Sequence, residues 1–192
     1  MTRPFRRALL LVSLTLLAPA APAFDLSFHG RGNTIAANGT VQVLFTPEDD
    51  ATGQIVQAVE HAQKQVLVQA FSFTSKEIAR ALIGAGQRGV DIQVIADAEQ
   101  LRKMENGKVP ELAAGGIPVF VDSRHDSAHN KIMVIDASGA NPVVITGSFN
   151  FTHAAQFRNA ENLLIFRQNR ELTAAYLENW RRHREHSREL ER

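Results

Sequence analysis

Apolar and polar positions follow two periods along most of the chain beyond residue 40. Val41 to Phe45 alternates in the manner of a strand, whereas Ile55, Val59 and Ala62 recur at helical spacing between Asp50 and Lys64. Further short β-rich runs predict strands at Gln65 to Phe71, Val90 to Ala96, Ile117 to Val121, Lys131 to Asp136, Val143 to Thr146 and Asn162 to Phe166.

Helical patterns separate several of these predicted strands. Thr74-Ser75-Lys76-Glu77 has the spacing of a capping box, and Gly89 stands where that helix should stop. Gln100 to Ala114 predicts one or two short helices, and a last helix places Leu172, Tyr176 and Trp180 on one face. Strands alternating with helices, some joined by hairpin-length connections, predict an α/β fold with a mixed β-sheet flanked by helices on both faces.

The first residues have the pattern of an export signal. Arg3, Arg6 and Arg7 form a basic start, Ala8 to Leu17 is apolar, and Ala21-Pro22-Ala23 offers a small-x-small cleavage site. We predict a signal peptide over residues 1–23 and a periplasmic or secreted protein. An uncleaved membrane anchor is the alternative, although the apolar run is short for a membrane span.

The remainder predicts one domain. Residues 24–40 are glycine-rich with little periodicity and predict a flexible lead-in, so residues 41–192 form the single catalytic domain. The chain contains no cysteine, and its net charge of +1 becomes −2 once the three signal arginines leave. Binding of a polyanion must therefore depend on a local cluster of cations and amides, such as one around Arg124 and Arg158, not on overall charge.

One segment combines a titratable side chain with a permanent cation. His129 and Lys131 lie at the start of a predicted strand, where residues i and i+2 face the same way and can converge on one ligand. Asp136, in the same segment, has the opposite parity, which favours a role in the framework of the site.

Polar side chains follow the next two strands. Ser148 and Asn150 offer neutral donors for phosphate oxygens, and the Glu161 carboxylate could accept the second N–H of a catalytic imidazole. A nucleophile, a cation, neutral donors and an orienting carboxylate are the groups that phosphodiester chemistry requires.

His129-x-Lys131-x4-Asp136, followed by Gly147-Ser148-x-Asn150, resembles the HKD signature of the phospholipase D superfamily. The similarity extends to Gln69 to Thr74, Arg88 to Asp91, Gly116 to Pro118 and Asn159 to Asn162, and it is greatest to small bacterial endonucleases with one signature per chain. The resemblance implies a phospholipase D-like sandwich and a phosphodiesterase that needs neither metal nor cofactor.

The resemblance also implies roles for individual residues. His129 would form a covalent phosphohistidine, and a second His129 would act as general acid across the two-fold axis of a homodimer. Lys131, Ser148 and Asn150 would bind phosphate oxygens, Glu161 would orient His129, and Asp136 completes the catalytic signature. Two facing imidazoles would titrate together and give a bell-shaped pH profile.

Alternatives remain open for the substrate and for several residues. We expect an endonuclease acting on DNA, and on RNA as a further substrate. A phospholipase D or cardiolipin-type hydrolase and a nucleic-acid-binding protein without catalysis are the alternatives.

The spacing of His125 and His129 could suggest zinc, but the sequence offers no third ligand. Phe71 and Phe73 could stack bases, although strand-end aromatics are more often core residues. His61, His153, His183 and His186 are expected to have no catalytic role.

Overall fold

The computed structural model describes residue 32 and residues 34–191. The predicted signal peptide over residues 1–23 lies outside these residues, as does most of the predicted lead-in over residues 24–40. The last part of that lead-in contains no helix and ends where the first strand begins, at Thr40.

Eight strands form one mixed sheet in this part of the chain. The strands are β1 (Thr40–Thr46), β2 (Gln65–Ala70), β3 (Asp91–Asp97), β4 (Val119–Asp122), β5 (Lys131–Ile135), β6 (Val143–Gly147), β7 (Glu161–Arg167) and β8 (Arg188–Glu189). Their order is β1-β7-β6-β5-β2-β3-β4-β8. Only the pairs β2·β3 and β3·β4 are parallel, so β5 joins a parallel half to an antiparallel half.

Six helices within residues 34–191 cover the sheet, and the predicted α/β class with helices on both faces is confirmed. The helices are α1 (Ala51–Glu60), α2 (Lys76–Gln87), α3 (Ala98–Lys103), α4 (Val109–Ala114), α5 (His153–Phe157) and α6 (Arg170–His186). The larger core lies on the face that carries α1 and α2, while Trp180 of α6 closes a smaller core over Leu67 and Ile132. None of the helices within residues 34–191 has the length and apolar character required to cross a bilayer.

The start of α2 differs from the predicted capping box by one residue. Ser75, not Thr74, is the N-cap, and its Oγ accepts a hydrogen bond from the Ile78 N–H at 3.2 Å. The backbone N–H groups of Thr74 and Ser75 both donate to the carbonyl of Phe151, so neither needs the Glu77 side chain. The Phe151 carbonyl thus takes the role that the capping box assigns to the side chain of Glu77. At the other end, Gly89 follows the helix at a φ of +89°, as predicted.

The C-terminal segment packs against the sheet at the end of α6. α6 stops at His186, and β8 then pairs with β4. The side chains of His183 and His186 hydrogen-bond to Asp122 at the end of β4, which draws this end of α6 onto the sheet.

Asp136 is separated from His129 by the whole length of β5. Its backbone has a φ of +49°, and its carboxylate accepts hydrogen bonds from the N–H groups of Gln63, Lys64 and Gln65 at 2.7–2.9 Å. At about 3.3 Å per residue, seven residues of strand place it roughly 23 Å from His129. The inclusion of Asp136 among the catalytic residues is therefore corrected: it fixes the turn between α1 and β2.

We expect Asp136→Asn to lower the free energy of unfolding by about 1.5–3 kcal/mol, because one charged acceptor becomes an amide N–H₂ facing a backbone N–H. Asparagine tolerates positive φ, so the change isolates the hydrogen bonds from the backbone conformation. Urea unfolding measures the difference, with exposed Asp91→Asn as the control. Equal stability of Asp136→Asn and the unchanged protein would contradict this account.

Candidate active site

The backbone around His129 is held from two sides. Lys131 pairs with Ala70 at the end of β2, and the Phe71 N–H donates to the carbonyl of Asn130 at 2.9 Å, which extends the ladder beyond β5. On the other side, the Ala128 N–H donates to the buried carboxylate of Asp97 at 2.8 Å. The loop that carries His129 is thereby fixed between β2 and β3.

The structure brings His129 and Lys131 together, as their i, i+2 spacing predicts. The Lys131 Nζ lies 3.0 Å from Nδ1 of His129 and donates to the His129 carbonyl at 2.8 Å. The imidazole is exposed, whereas Lys131 is only 7% exposed. A buried cation therefore lies against an imidazole that is exposed to solvent.

Phe71 completes the surroundings of this pair. Its ring centroid lies 4.3 Å from that of His129, and the Lys131 Nζ lies 4.9 Å from the same centroid. An ammonium near an aromatic ring is stabilised by the ring's quadrupole. The sequence interpretation left Phe71 out of the site. Its position directly after β2, the strand that pairs with β5, could have indicated a contact with His129. Phe73, by contrast, is a core residue.

The hydrogen on the imidazole is determined by its lysine partner. An ammonium can only donate, so this contact is a hydrogen bond when Nδ1 of His129 accepts and the ring hydrogen lies on Nε2. The opposite tautomer, with a free lone pair on Nε2, needs an acceptor for Nδ1–H in place of Lys131.

A second hydrogen-bond network surrounds Glu161. Its carboxylate accepts from Ser148 Oγ at 2.6 Å and from the Asn159 amide at 3.0 Å. The Asn162 N–H donates to Ser148 Oγ at 3.0 Å, which leaves the hydroxyl fully engaged. Gly147, at a φ of +141°, allows this close approach, since a Cβ there would collide with the Asn162 carbonyl.

The expected bond between Glu161 and His129 is absent within residues 34–191 of one chain. Glu161 acts instead on Lys131: burial lowers the pKa of the Lys131 ammonium below its ordinary value, and the charge of Glu161 raises it in partial opposition. Glu161 thus keeps the buried ammonium protonated to a higher pH than burial alone would allow.

Asn150 follows Ser148 by two residues but forms different hydrogen bonds. Its Oδ1 is buried and has no hydrogen-bond partner among the described residues. The amide nitrogen is the end of this side chain that could donate to a substrate oxygen. Of the six predicted site residues, His129 contacts Lys131, and Ser148 contacts Glu161. Asn150 is close to Ser148 in sequence, and Asp136 lies at the far end of β5.

An open cavity of about 510 Å³ begins at the pair of His129 and Lys131. Most of its lining side chains are polar, including Asn130, Thr146 and Arg182. A larger cavity of about 690 Å³ lies at the other end of β5, around Asp136, and we regard it as unrelated to the chemistry because neither His129 nor Lys131 reaches it. Arg124 and Arg158 are exposed, and Arg182 is a further cation that the sequence interpretation missed.

The only group of three or more potential metal-ligating side chains found in residues 34–191 excludes His129. Asp122, His125, His183 and His186 bring one ligand atom each to within 4.8 Å of one another. His125 is therefore joined to residues of β4 and α6, not to His129 as its sequence spacing could suggest.

Comparison with known proteins finds relatives over most of the chain. The protein family described as cardiolipin synthase, PLD-like domain, matches residues 55–184. A phospholipase D from Rickettsia prowazekii is 39% identical over 144 residues, which are 75% of this chain and 67% of that protein. A mitochondrial cardiolipin hydrolase from Xenopus tropicalis is 30% identical over 134 residues, which are 70% of this chain and 61% of that protein.

Solved structures extend the comparison to the fold. A phospholipase D family member, Nuc from Salmonella typhimurium, superposes with a TM-score of 0.74 at 31% identity, over 80% of this chain and 99% of its own. NucT from Helicobacter pylori shares the fold, with a TM-score of 0.70 at 21% identity, over 79% of this chain and 99% of its own. From the family match, the relatives and the shared fold, the chain belongs to the phospholipase D superfamily and is a phosphodiesterase of that superfamily.

Proposed function

We propose that the protein is an exported, metal-independent nuclease that cleaves DNA, and RNA as a further substrate, through a phosphohistidine on His129. The observation that carries this proposal is the exposed His129 imidazole, supported by the buried Lys131 ammonium, at the mouth of an open and mainly polar cavity. Export rests on the predicted signal peptide over residues 1–23.

The chemistry follows from the groups present. A substrate phosphate that binds the Lys131 ammonium would compete with Nδ1 of His129 for that donor and release the ring from its inactive tautomer. With its hydrogen moved to Nδ1, Nε2 forms a bond to phosphorus, and the leaving oxygen takes a proton from a second imidazole. Water then gives a proton to the second imidazole and attacks phosphorus, the N–P bond breaks, and both histidines return to their starting forms. Lys131 balances the additional negative charge of both pentacovalent states.

Glu161 is the acceptor that we propose for Nδ1–H in this reactive tautomer. In the described conformation its carboxylate is bound to Ser148 and Asn159. If the Ser148 hydroxyl donated its hydrogen bond to a phosphate oxygen instead, one oxygen of the Glu161 carboxylate would become free to accept. Substrate binding would thus prepare the phosphate ligands and the nucleophile in the same step.

The form of the cavity favours a nucleic acid over a lipid. Backbone phosphates are recognised by cations and polar groups along an open groove, as Asn130, Thr146 and Arg182 provide. The apolar cavity beside Phe71 measures only about 10 Å³, far less than an acyl chain occupies. A phospholipase is the second candidate, and the relatives described as phospholipase D and mitochondrial cardiolipin hydrolase support it.

A homodimer is part of the proposal because one chain carries a single signature histidine. An exposed His129 can face its copy across a two-fold axis. β1 is an edge strand with a row of exposed apolar side chains, Val41, Val43 and Phe45, which are 48–59% exposed. Phe45 lies opposite Asn162, next to Glu161, so this row reaches the site and offers a surface for association.

The substrate class is tested by incubating the purified protein with plasmid, single-stranded DNA, RNA, and vesicles of phosphatidylcholine or cardiolipin, each with and without excess EDTA. We expect chelator-resistant cleavage of DNA and no release of lipid head groups. Head-group release without nucleic-acid cleavage would establish the phospholipase instead. Binding of DNA without cleavage would indicate a protein that has lost catalysis.

His129→Ala is expected to lower kcat by more than about 1,000-fold, because the nucleophile is lost while binding and electrostatic stabilisation remain. The side chain is exposed, so the melting temperature should change little. Exposed His61→Ala, beside α1 and away from the site, is the matched control and should retain activity. Residual turnover in His129→Ala near that of His61→Ala would exclude the nucleophile role.

Mixing experiments test the shared site of the dimer. If each reaction needs His129 from both chains, an equal mixture of unchanged and His129→Ala protein, after full subunit exchange, should retain about one quarter of the activity. Independent sites in each chain would leave about one half. Light scattering of both proteins checks that the substitution preserves the dimer.

Glu161→Gln is expected to move the alkaline limb of kcat/KM to lower pH. Burial already lowers the pKa of Lys131, and Gln removes the negative charge that opposes this shift. Since only the protonated ammonium stabilises the phosphate charge, activity should be lost as pH rises through this lower pKa. Exposed Glu171→Gln is the control. An alkaline limb that stays in place or moves to higher pH would contradict the assigned charge coupling.

A further inference from the structure

A cluster of four side chains, here called the Asp122 cluster, lies away from the phosphodiesterase site. It consists of Asp122, His125, His183 and His186. Asp122 ends β4, His125 lies in the loop that leads to His129, and the other two histidines occupy one face of α6 at i and i+3. Three separate parts of the fold thus meet at one carboxylate.

The carboxylate of Asp122 is oriented before it meets the histidines. Its Oδ1 accepts from the Arg124 N–H at 3.0 Å, while its Oδ2 lies 3.0 Å from Nδ1 of His125. The same Oδ2 lies 3.0 Å from Nδ1 of His183 and 3.2 Å from Nε2 of His186. Asp122 is fully buried.

The ring nitrogens crowd one of the two oxygens of this carboxylate. A carboxylate has about four lone-pair sites on two oxygens, hence about two for each oxygen. Three imidazole nitrogens lie 3.0–3.2 Å from Oδ2, and only Nδ1 of His125 is also near Oδ1, at 3.3 Å. Two half-buried rings and the exposed ring of His125 thus turn toward one small volume, as ligands do around a cation.

The distances fit tetrahedral coordination. Zinc binds imidazole nitrogen and carboxylate oxygen at about 2.0–2.1 Å, so the edge of a ligand tetrahedron is roughly 3.3 Å. The three distances from Oδ2 to the ring nitrogens are close to this edge. The four ligand atoms lie within 4.8 Å of one another, whereas two atoms bound to one ion at about 2.1 Å are at most about 4.2 Å apart. Rotation of the rings would have to bring the nitrogens closer together to complete the site.

We propose that the Asp122 cluster binds a divalent transition-metal ion, with zinc as the preferred ion, in a four-ligand structural site. Three imidazoles and one carboxylate are ligands that zinc accepts. The side chain of His125 is 44% exposed, against 15% for His183 and 17% for His186, so His125 provides the entry path. Four protein ligands leave no open position for a water molecule, so the ion acts on structure and not on hydrolysis.

The bound ion would stabilise the approach to His129. It would tie the end of α6 and the loop after β4 to the sheet, and the same loop is fixed further on by Asp97 at Ala128.

The test measures metal binding directly and needs no substrate. Protein purified without a polyhistidine tag is treated with EDTA, freed of chelator and titrated with Zn²⁺ by calorimetry, and with Co²⁺ by visible absorption. We expect one ion per chain, tetrahedral Co²⁺ bands, and a melting temperature that rises with Zn²⁺ concentration. His129→Ala should bind Zn²⁺ equally well, which separates this site from the proposed catalytic function.

Variants of the cluster provide the comparison. His183→Ala should bind Zn²⁺ more than about 100-fold less tightly, since loss of even an outer-shell partner costs about 10- to 100-fold. His125→Ala removes the most exposed ligand, leaves both α6 histidines on Asp122, and serves as the variant that retains the fold, checked by circular dichroism. His61→Ala is the control with an unrelated histidine removed. Absence of saturable Zn²⁺ binding to the unchanged protein, or equal binding by His183→Ala and His61→Ala, would overturn the proposal.

Discussion

The burial of one ammonium group, that of Lys131, is the constraint on which the site depends. Removing a cation from water is unfavourable unless polar partners replace the water. Here the His129 carbonyl, Nδ1 of the imidazole and the face of Phe71 surround the ammonium, and the charge of Glu161 opposes the effect of burial on its pKa. The groups that stabilise the cation also contact the His129 side chain or belong to it, so the burial of Lys131 and the geometry of the site are coupled.

The sheet topology explains why these groups meet. β2, β3 and β4 are parallel, so their last residues, Ala70, Asp97 and Asp122, lie at the same end of the sheet. β5 runs antiparallel to β2 and therefore begins at that end, where Lys131 pairs with Ala70. The next two antiparallel pairings bring the end of β6 and the start of β7, with Ser148 and Glu161, to the same place. Three successive antiparallel pairings, β2·β5, β5·β6 and β6·β7, thus assemble the site.

Local patterns were sufficient to predict the groups that are close in sequence. The alternation of side chains along a strand predicts that His129 and Lys131 converge and that Asp136 does not face them; the motif resemblance, which placed Asp136 in the catalytic set, was the weaker guide. Groups joined by tertiary contacts could not be predicted this way. The Phe151 carbonyl moves the cap of α2 from Thr74 to Ser75. Asp122 meets His183 across 61 positions of sequence, which no periodicity reveals.

The loop between β4 and β5 connects the two clusters of polar side chains. It begins at Asp122, is held at Ala128 by Asp97, and delivers His129 next to Lys131. Because Asp97 also caps α3 through Gln100, the loop rests on residues that do not touch the substrate cavity. In the proposed mechanism the His129 imidazole exchanges the partner of Nδ1, which depends on a backbone that stays in position. Hydrogen bonds to Asp122 at the start of the loop and to Asp97 at Ala128 hold that backbone.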